Sequence, residues 1–119
     1  MDAAELATLR SVLRERRDAL LTSIAEASAQ LAEIRAERAD TPADDEHDPE
    51  GSTMSTEWSR AEGIHSAAQR ELDELDRAEQ RMVNGTYGTC LVCGNDIPVA
   101  RLELRPAATL CVSCANRQR

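Results

Sequence analysis

The stretch GTYGTCLVCG, residues 85–94, contains two cysteines separated by two residues, Cys90 and Cys93. The same spacing recurs after 17 intervening residues, at Cys111 and Cys114. Two intervening residues let a pair of thiolates turn around one metal ion, and two such pairs complete a tetrahedron. We therefore predict that these four cysteines bind one structural zinc ion.

The four thiols allow other interpretations besides a structural metal. Four thiolates fill the zinc shell and leave no position for water, so a catalytic metal centre is not expected. A thiol redox sensor, in which oxidation releases zinc, stays open because Arg101 and Arg105 lie nearby in sequence and would favour thiolates. A disulfide framework needs a secreted protein, and the N-terminus MDAAELATLR has no signal-peptide pattern.

The region before the cysteines is predicted to form two long helices. Apolar residues recur at steps of three or four, averaging about 3.5, which is the period of a coiled-coil seam. In the first helix, about 3–38, the seam contains Leu6, Leu9, Leu13, Arg17, Leu20, Ile24, Ala27, Leu31 and Ile34. In the second, about 53–83, it contains Met54, Trp58, Ala61, His65, Ala68, Leu72, Leu75, Ala78 and Met82, with Ile64 replacing His65 if the register drifts.

The ends of these helices have recognisable signals. Asp2 followed by Glu5 is typical of a capping box. Ser52 or Thr53 is a candidate cap for the second helix, and the pair Asn84-Gly85 is expected to end it.

An acidic segment, ADTPADDEHDPEGS at residues 39–52, separates the two helices. Its two prolines, its glycine and its many carboxylates predict a loop. Matching seams joined by a loop favour an antiparallel two-helix coiled-coil hairpin over 1–84, with arms of about 45–55 Å at 1.5 Å per residue. The fold class is therefore mainly α, and residues 85–119 form the zinc finger with a short C-terminal helix.

Composition excludes several classes of function. The net charge is −8, which opposes binding to nucleic acid or anionic lipid, and two aromatic residues cannot form a stacking surface for single strands. No apolar run is long enough to cross a bilayer. We therefore predict a soluble, cytoplasmic protein. No nucleophile lies beside a base in the sequence, so we do not expect an enzyme. We expect a monomer, because the seam contains Arg17 and several alanines.

The cysteine region resembles the DksA/TraR family of zinc-finger transcription regulators. The matching residues are YGTC and CLVCG (87–94), RLELRP (101–106) and CVSC (111–114). The resemblance implies binding to RNA polymerase without sequence-specific DNA binding. It also implies that an acidic coiled-coil tip enters the secondary channel of the polymerase near its catalytic Mg²⁺. The tip residues it points to are Asp45, Asp48 and Glu50, with Arg105 as a possible polymerase or nucleotide contact.

This chain departs from the family pattern in three places. The family tip reads D-x-x-D-x-A, whereas here Glu50 stands in the place of Ala. Where some members hold the nucleotide ppGpp with basic residues, this chain has Glu74 and Ala115, so weak or absent ppGpp binding is expected. ANRQR follows Cys114, and a C-terminal helix of at most one or two turns is expected there. An adaptor coiled coil with an inactive tip is the remaining alternative.

Overall fold

The computed structural model describes residues 1–40 and 49–118, with side chains in the second range from residue 53 onward. The described residues form four helices and no strand, although an antiparallel bridge joins Thr89 and Asp96. None of these helices combines the length and apolar character needed to span a membrane. The helices are α1 (Ala3–Asp40), α2 (Pro49–Asn84), α3 (Val99–Leu104) and α4 (Val112–Arg117).

The start of α1 is a capping box, as the sequence predicts. The backbone N–H of Glu5 donates to the Asp2 carboxylate at 2.7 Å, and the N–H of Asp2 donates to the Glu5 carboxylate at 3.2 Å. These two bonds satisfy N–H groups that have no partner within the helix. The helix therefore begins at a defined residue.

The segment between α1 and α2 is shorter than the sequence suggests. Helix α1 continues to Asp40, and α2 begins at Pro49 rather than near residue 53. The predicted loop 39–52 was therefore too long at both ends, and the predicted cap at Ser52 or Thr53 was wrong. Proline is tolerated in the first turn of a helix, because the N–H it lacks would have no helical partner there.

The C-terminal end of α2 is closed by Gly85. The N–H of Thr86 donates to the carbonyl of Arg81 at 2.9 Å, and that of Gly85 donates to Met82 at 3.4 Å. This is the Schellman pattern, in which the residue after the helix takes a positive φ; Gly85 has φ 77°. The chain thereby leaves α2 in the direction of the first cysteine pair.

Burial follows the predicted seam on both long helices. All nine predicted positions of each helix are buried or half-buried, including Arg17 and His65, whereas Ile64 is 46% exposed. The register with His65 in the seam is therefore the one adopted. The buried alanines, Ala27, Ala61, Ala68 and Ala78, show why this helical core is narrow despite its length. The predicted fold class, two long antiparallel helices with a C-terminal four-cysteine module, is confirmed.

The chain divides into two compact units. The first contains Met1–Asp18 and Leu72–Arg119, and the second contains Ala19–Glu71. In the first unit the Arg17 guanidinium pairs with the Asp76 carboxylate and lies 3.7 Å from Glu79. A charged group at a seam position needs such partners, and pairing with one stretch of α2 favours one helix register over its neighbours.

The second unit contains Trp58, the only tryptophan of the chain. The guanidinium carbons of Arg35 and Arg38 lie 5.7 Å and 5.6 Å from the centre of its ring. Contacts of this kind between a guanidinium and an indole ring are attractive. They bring the last turns of α1 against the early part of α2.

Gly63 lies in the interior of α2, where glycine is unfavourable. No contact among the described residues requires a glycine at this position. Gly63 is exposed, and a Cβ built at this position would meet no atom within 4 Å. We expect Gly63→Ala to raise the free energy of unfolding by about 0.5–1 kcal/mol, because glycine in a helix interior costs that much relative to alanine. Thermal unfolding followed by circular dichroism measures the change.

Gly85→Ala is the matched control for this prediction. A Cβ at Gly85 also meets open space, but its φ is positive. The same substitution there should lower stability by about 1–2 kcal/mol through backbone strain. Equal shifts of the same sign at the two glycines would contradict the argument.

Candidate metal centre

The first cysteine pair lies in a tight turn that needs a glycine. The N–H of Gly94 donates to the carbonyl of Cys90 at 3.0 Å, and the N–H of Cys90 donates to Asn95 at 2.8 Å. Gly94 has φ 74°, a conformation that other residues adopt only at a cost. The glycine that follows Cys93 therefore lets both sulfur atoms of this pair face the same point.

The second cysteine pair lies at the start of α4. Cys111 is the residue before the first helical turn, and Cys114 lies within the helix. The N–H of Ala115 donates to the carbonyl of Cys111 at 2.9 Å, which closes the turn between the two thiols. A spacing of three places both side chains on one side of that turn.

The four sulfur atoms come together as the sequence predicts. They all lie within 4.8 Å of one another, and the Cys93 and Cys111 sulfurs are 3.8 Å apart. A tetrahedral zinc ion with bonds of 2.3 Å requires sulfur–sulfur edges of about 3.8 Å. Cys90 and Cys114 are buried and Cys93 is exposed. The donor set and spacing thus fit one structural zinc ion, and the fit leaves no coordination position for water.

The thiols of this site influence one another's pKa values in opposite directions. Backbone hydrogen bonds, first from Cys93 and then from Cys111, lower the pKa of Cys90 to about 6. The neighbouring cysteines, Cys111 first, raise the pKa of Cys114 to about 12. Four thiolates so close together repel one another, and a divalent ion relieves that repulsion when it displaces the protons.

A small apolar core lies beside the cysteines. Leu102 of α3 is fully buried, Ile97 is 3% exposed and Tyr87 is 8% exposed. Burial raises the pKa of Tyr87 to about 12, so its hydroxyl keeps its proton and donates to the carbonyl of Pro106 at 2.7 Å. Because most of residues 95–110 are small or polar, the sequence suggests less packing here than the structure contains.

The other residues singled out from the sequence lie away from the metal centre or outside the described residues. Asp45 and Asp48 are outside the described residues, and Glu50 lies in the first turn of α2. Arg105 follows α3 directly and is exposed. Glu74 is exposed on α2, and Ala115 is half-buried on α4. The structure therefore brings together the zinc ligands and leaves the tip assignment as a prediction.

Two arginines take part in the site in a way that sequence reasoning missed. Arg101 donates through Nε to the carbonyl of Leu110 at 2.9 Å, and Arg81 donates to the carbonyl of Ala107 at 3.4 Å. Desolvation by burial lowers the pKa of Arg81 from its ordinary value. The sequence interpretation treated Arg101 only as a nearby charge. Its place as the first residue of the RLELRP stretch gives no sign that its side chain bonds to the backbone.

The fold and the site define a class of protein: two long antiparallel helices joined to a small zinc module with four cysteine ligands. Comparison with known proteins finds a family model that matches that module. Residues 85–119 match the prokaryotic dksA/traR C4-type zinc finger. The predicted resemblance to the DksA/TraR family is confirmed.

Two relatives and one solved structure extend the similarity. The chain is 35% identical over 68 residues, 57% of its length, to general stress protein 16O of Bacillus subtilis. It is 44% identical over 50 residues, 41% of its length, to RNA polymerase-binding transcription factor DksA of Caulobacter vibrioides. These matches span only 42% and 35% of the two relatives.

The structural similarity covers more of the chain than the sequence matches do. The structure of transcription factor DksA2 from Pseudomonas aeruginosa matches 99% of this chain and 85% of its own, with a TM-score of 0.83 and 28% identity. Both long helices and the zinc module therefore have counterparts in a DksA-like fold.

Proposed function

We propose that this protein is a transcription regulator that binds RNA polymerase. The observation that carries the proposal is the similarity of almost the whole chain to the structure of a DksA2 protein. The similarity to a DksA described as RNA polymerase-binding supports the choice of partner. The chain has a net charge of −8, which fits a protein partner better than promoter DNA.

In this proposal the acidic segment between α1 and α2 acts on the polymerase. The helices insert into the secondary channel, and Asp45, Asp48 and Glu50 approach the catalytic Mg²⁺. Carboxylates are the ligands that Mg²⁺ prefers, so even a distant approach changes the electrostatic field at that centre. Zinc stabilises the C-terminal module, residues 85–119. The protein itself performs no catalysis. We further propose that it is cytoplasmic and monomeric.

The alarmone ppGpp is not expected to bind strongly at the position used by some family members. Glu74 stands where a basic residue would face the nucleotide, and Ala115 provides no charge. A carboxylate repels pyrophosphate, and Arg105 alone provides only one positive charge. We therefore propose that the response of this protein to ppGpp is weak or absent.

Neutralising the tip tests the proposal. The double variant Asp45→Ala/Asp48→Ala should keep its affinity for RNA polymerase and lose its effect on open promoter complexes, measured by transcription in vitro. Glu26→Ala/Glu33→Ala is the matched control, because it removes the same charge from exposed positions of α1. If the tip variant keeps the full transcriptional effect, the assigned tip is wrong.

The redox-sensor and adaptor interpretations stay predictions. Exposure of Cys93 favours the former, because an exposed thiol is accessible to oxidants. A tip variant with unchanged activity would favour the latter.

A further inference from the structure

Segment 106–110, which leads into the second cysteine pair, is held through its carbonyl groups. It forms no helix or strand, yet four of its five carbonyl oxygens accept hydrogen bonds from elsewhere in the chain. The bonds are Tyr87 Oη to Pro106 at 2.7 Å, Arg81 Nη2 to Ala107 at 3.4 Å, Leu91 N to Thr109 at 2.9 Å and Arg101 Nε to Leu110 at 2.9 Å.

The donors belong to three different parts of the fold. Arg81 lies on α2, Tyr87 and Leu91 lie in the connection that contains the first cysteine pair, and Arg101 lies on α3. Irregular backbone pays a conformational entropy cost when it is ordered, and bonds from several directions offset that cost. The segment is therefore ordered by the protein's own groups.

Two of these bonds act directly on the zinc ligands. Leu91 follows Cys90, so its bond to Thr109 joins the first cysteine pair to the segment that carries the second. The carbonyl group of Leu110 is part of the planar peptide unit that joins Leu110 to Cys111. The bond from Arg101 therefore fixes the orientation of that unit, and with it the direction in which the Cys111 side chain projects. Neither bond involves a sulfur atom.

We propose that these bonds hold Cys111 in the position that zinc requires before the metal binds, and that Tyr87 and Arg101 are positioning residues of the zinc site. In many small zinc modules the metal must also order the chain, and that cost reduces its affinity. A segment that is already ordered removes part of the cost, which is the usual gain from preorganisation. Removal of one donor should therefore weaken zinc binding although all four thiols remain.

The variants Tyr87→Phe and Arg101→Gln test the proposal. Each should lower zinc affinity roughly 10-fold, the lower end of the effect seen when outer groups that orient metal ligands are removed. Affinity is measured by competition with a chromophoric chelator. The visible spectrum of the cobalt-loaded protein should keep its tetrahedral four-thiolate pattern, because no ligand has changed. Arg105→Gln is the control, since it removes the same charge from an exposed position nearby and should leave affinity unchanged.

A second measurement separates positioning from general stabilisation. In the zinc-free wild type, the amide of Leu91 should exchange slowly with solvent, and in zinc-free Arg101→Gln it should exchange faster. If Arg101→Gln does not fold, the affinity of Tyr87→Phe decides the question alone. Zinc affinities within twofold of the wild type in the folded variants, or an unprotected Leu91 amide in the zinc-free wild type, would overturn the proposal.

Discussion

Replacing Cys114 by serine is expected to weaken zinc binding by more than about 100-fold. Groups that only orient metal ligands are worth up to about 100-fold, and a buried thiolate ligand contributes more. Cys114 is 3% exposed, so no water can easily take its place. Zinc per chain after gel filtration, together with chelator competition, measures the loss. The helical signal of α1 and α2 should largely remain.

Ser113→Ala is the control for the loss of zinc. Ser113 lies beside Cys114 on α4 and is exposed, so its removal leaves the four thiols unchanged. The control should bind one zinc ion with wild-type affinity. A Cys114→Ser protein that keeps full zinc occupancy would show that the fourth ligand is not this cysteine.

Leu13→Ala is expected to lower the free energy of unfolding by about 2–5 kcal/mol. Leu13 is fully buried in the seam, and truncation of such a side chain loses its transfer free energy and leaves a cavity. Since small domains are stable by only about 5–15 kcal/mol, the loss is a large share of the total. Urea unfolding followed by circular dichroism measures it.

Leu21→Ala on the same helix is the matched control. Leu21 is 45% exposed, so the same substitution removes little buried surface and should change stability by less than about 1 kcal/mol. Comparable losses for the two variants would contradict the seam register described above.

Periodicity predicted the long helices well because seam positions repeat under one physical rule. All eighteen predicted seam positions, nine on each helix, are buried or half-buried, and even Arg17 is at its predicted position. The capping box at Asp2 and the helix end at Gly85 could be predicted equally well, because each depends on residues close together in sequence. Local rules and a regular period were sufficient for these features.

The features that sequence reasoning missed depend on alternatives or on long-range contacts. Proline and acidic residues favour a loop, but they also suit the first turn of a helix, and α2 uses Pro49 in that second way. The spacing of the cysteines was sufficient to predict that the four thiols lie together. It could not predict the bonds from Arg81 and Arg101 to segment 106–110, because each joins residues that only the folded chain brings together.

Binding of this protein to RNA polymerase is tested most simply by direct titration. Zinc-loaded protein carries a fluorescent label at a position that takes part in none of the contacts described above. It is titrated with purified bacterial RNA polymerase core enzyme at moderate ionic strength, and binding is followed by fluorescence anisotropy. We expect saturable binding at one protein per polymerase, with the Asp45→Ala/Asp48→Ala variant retaining affinity. The absence of saturable binding by the intact, zinc-loaded protein would contradict the proposal.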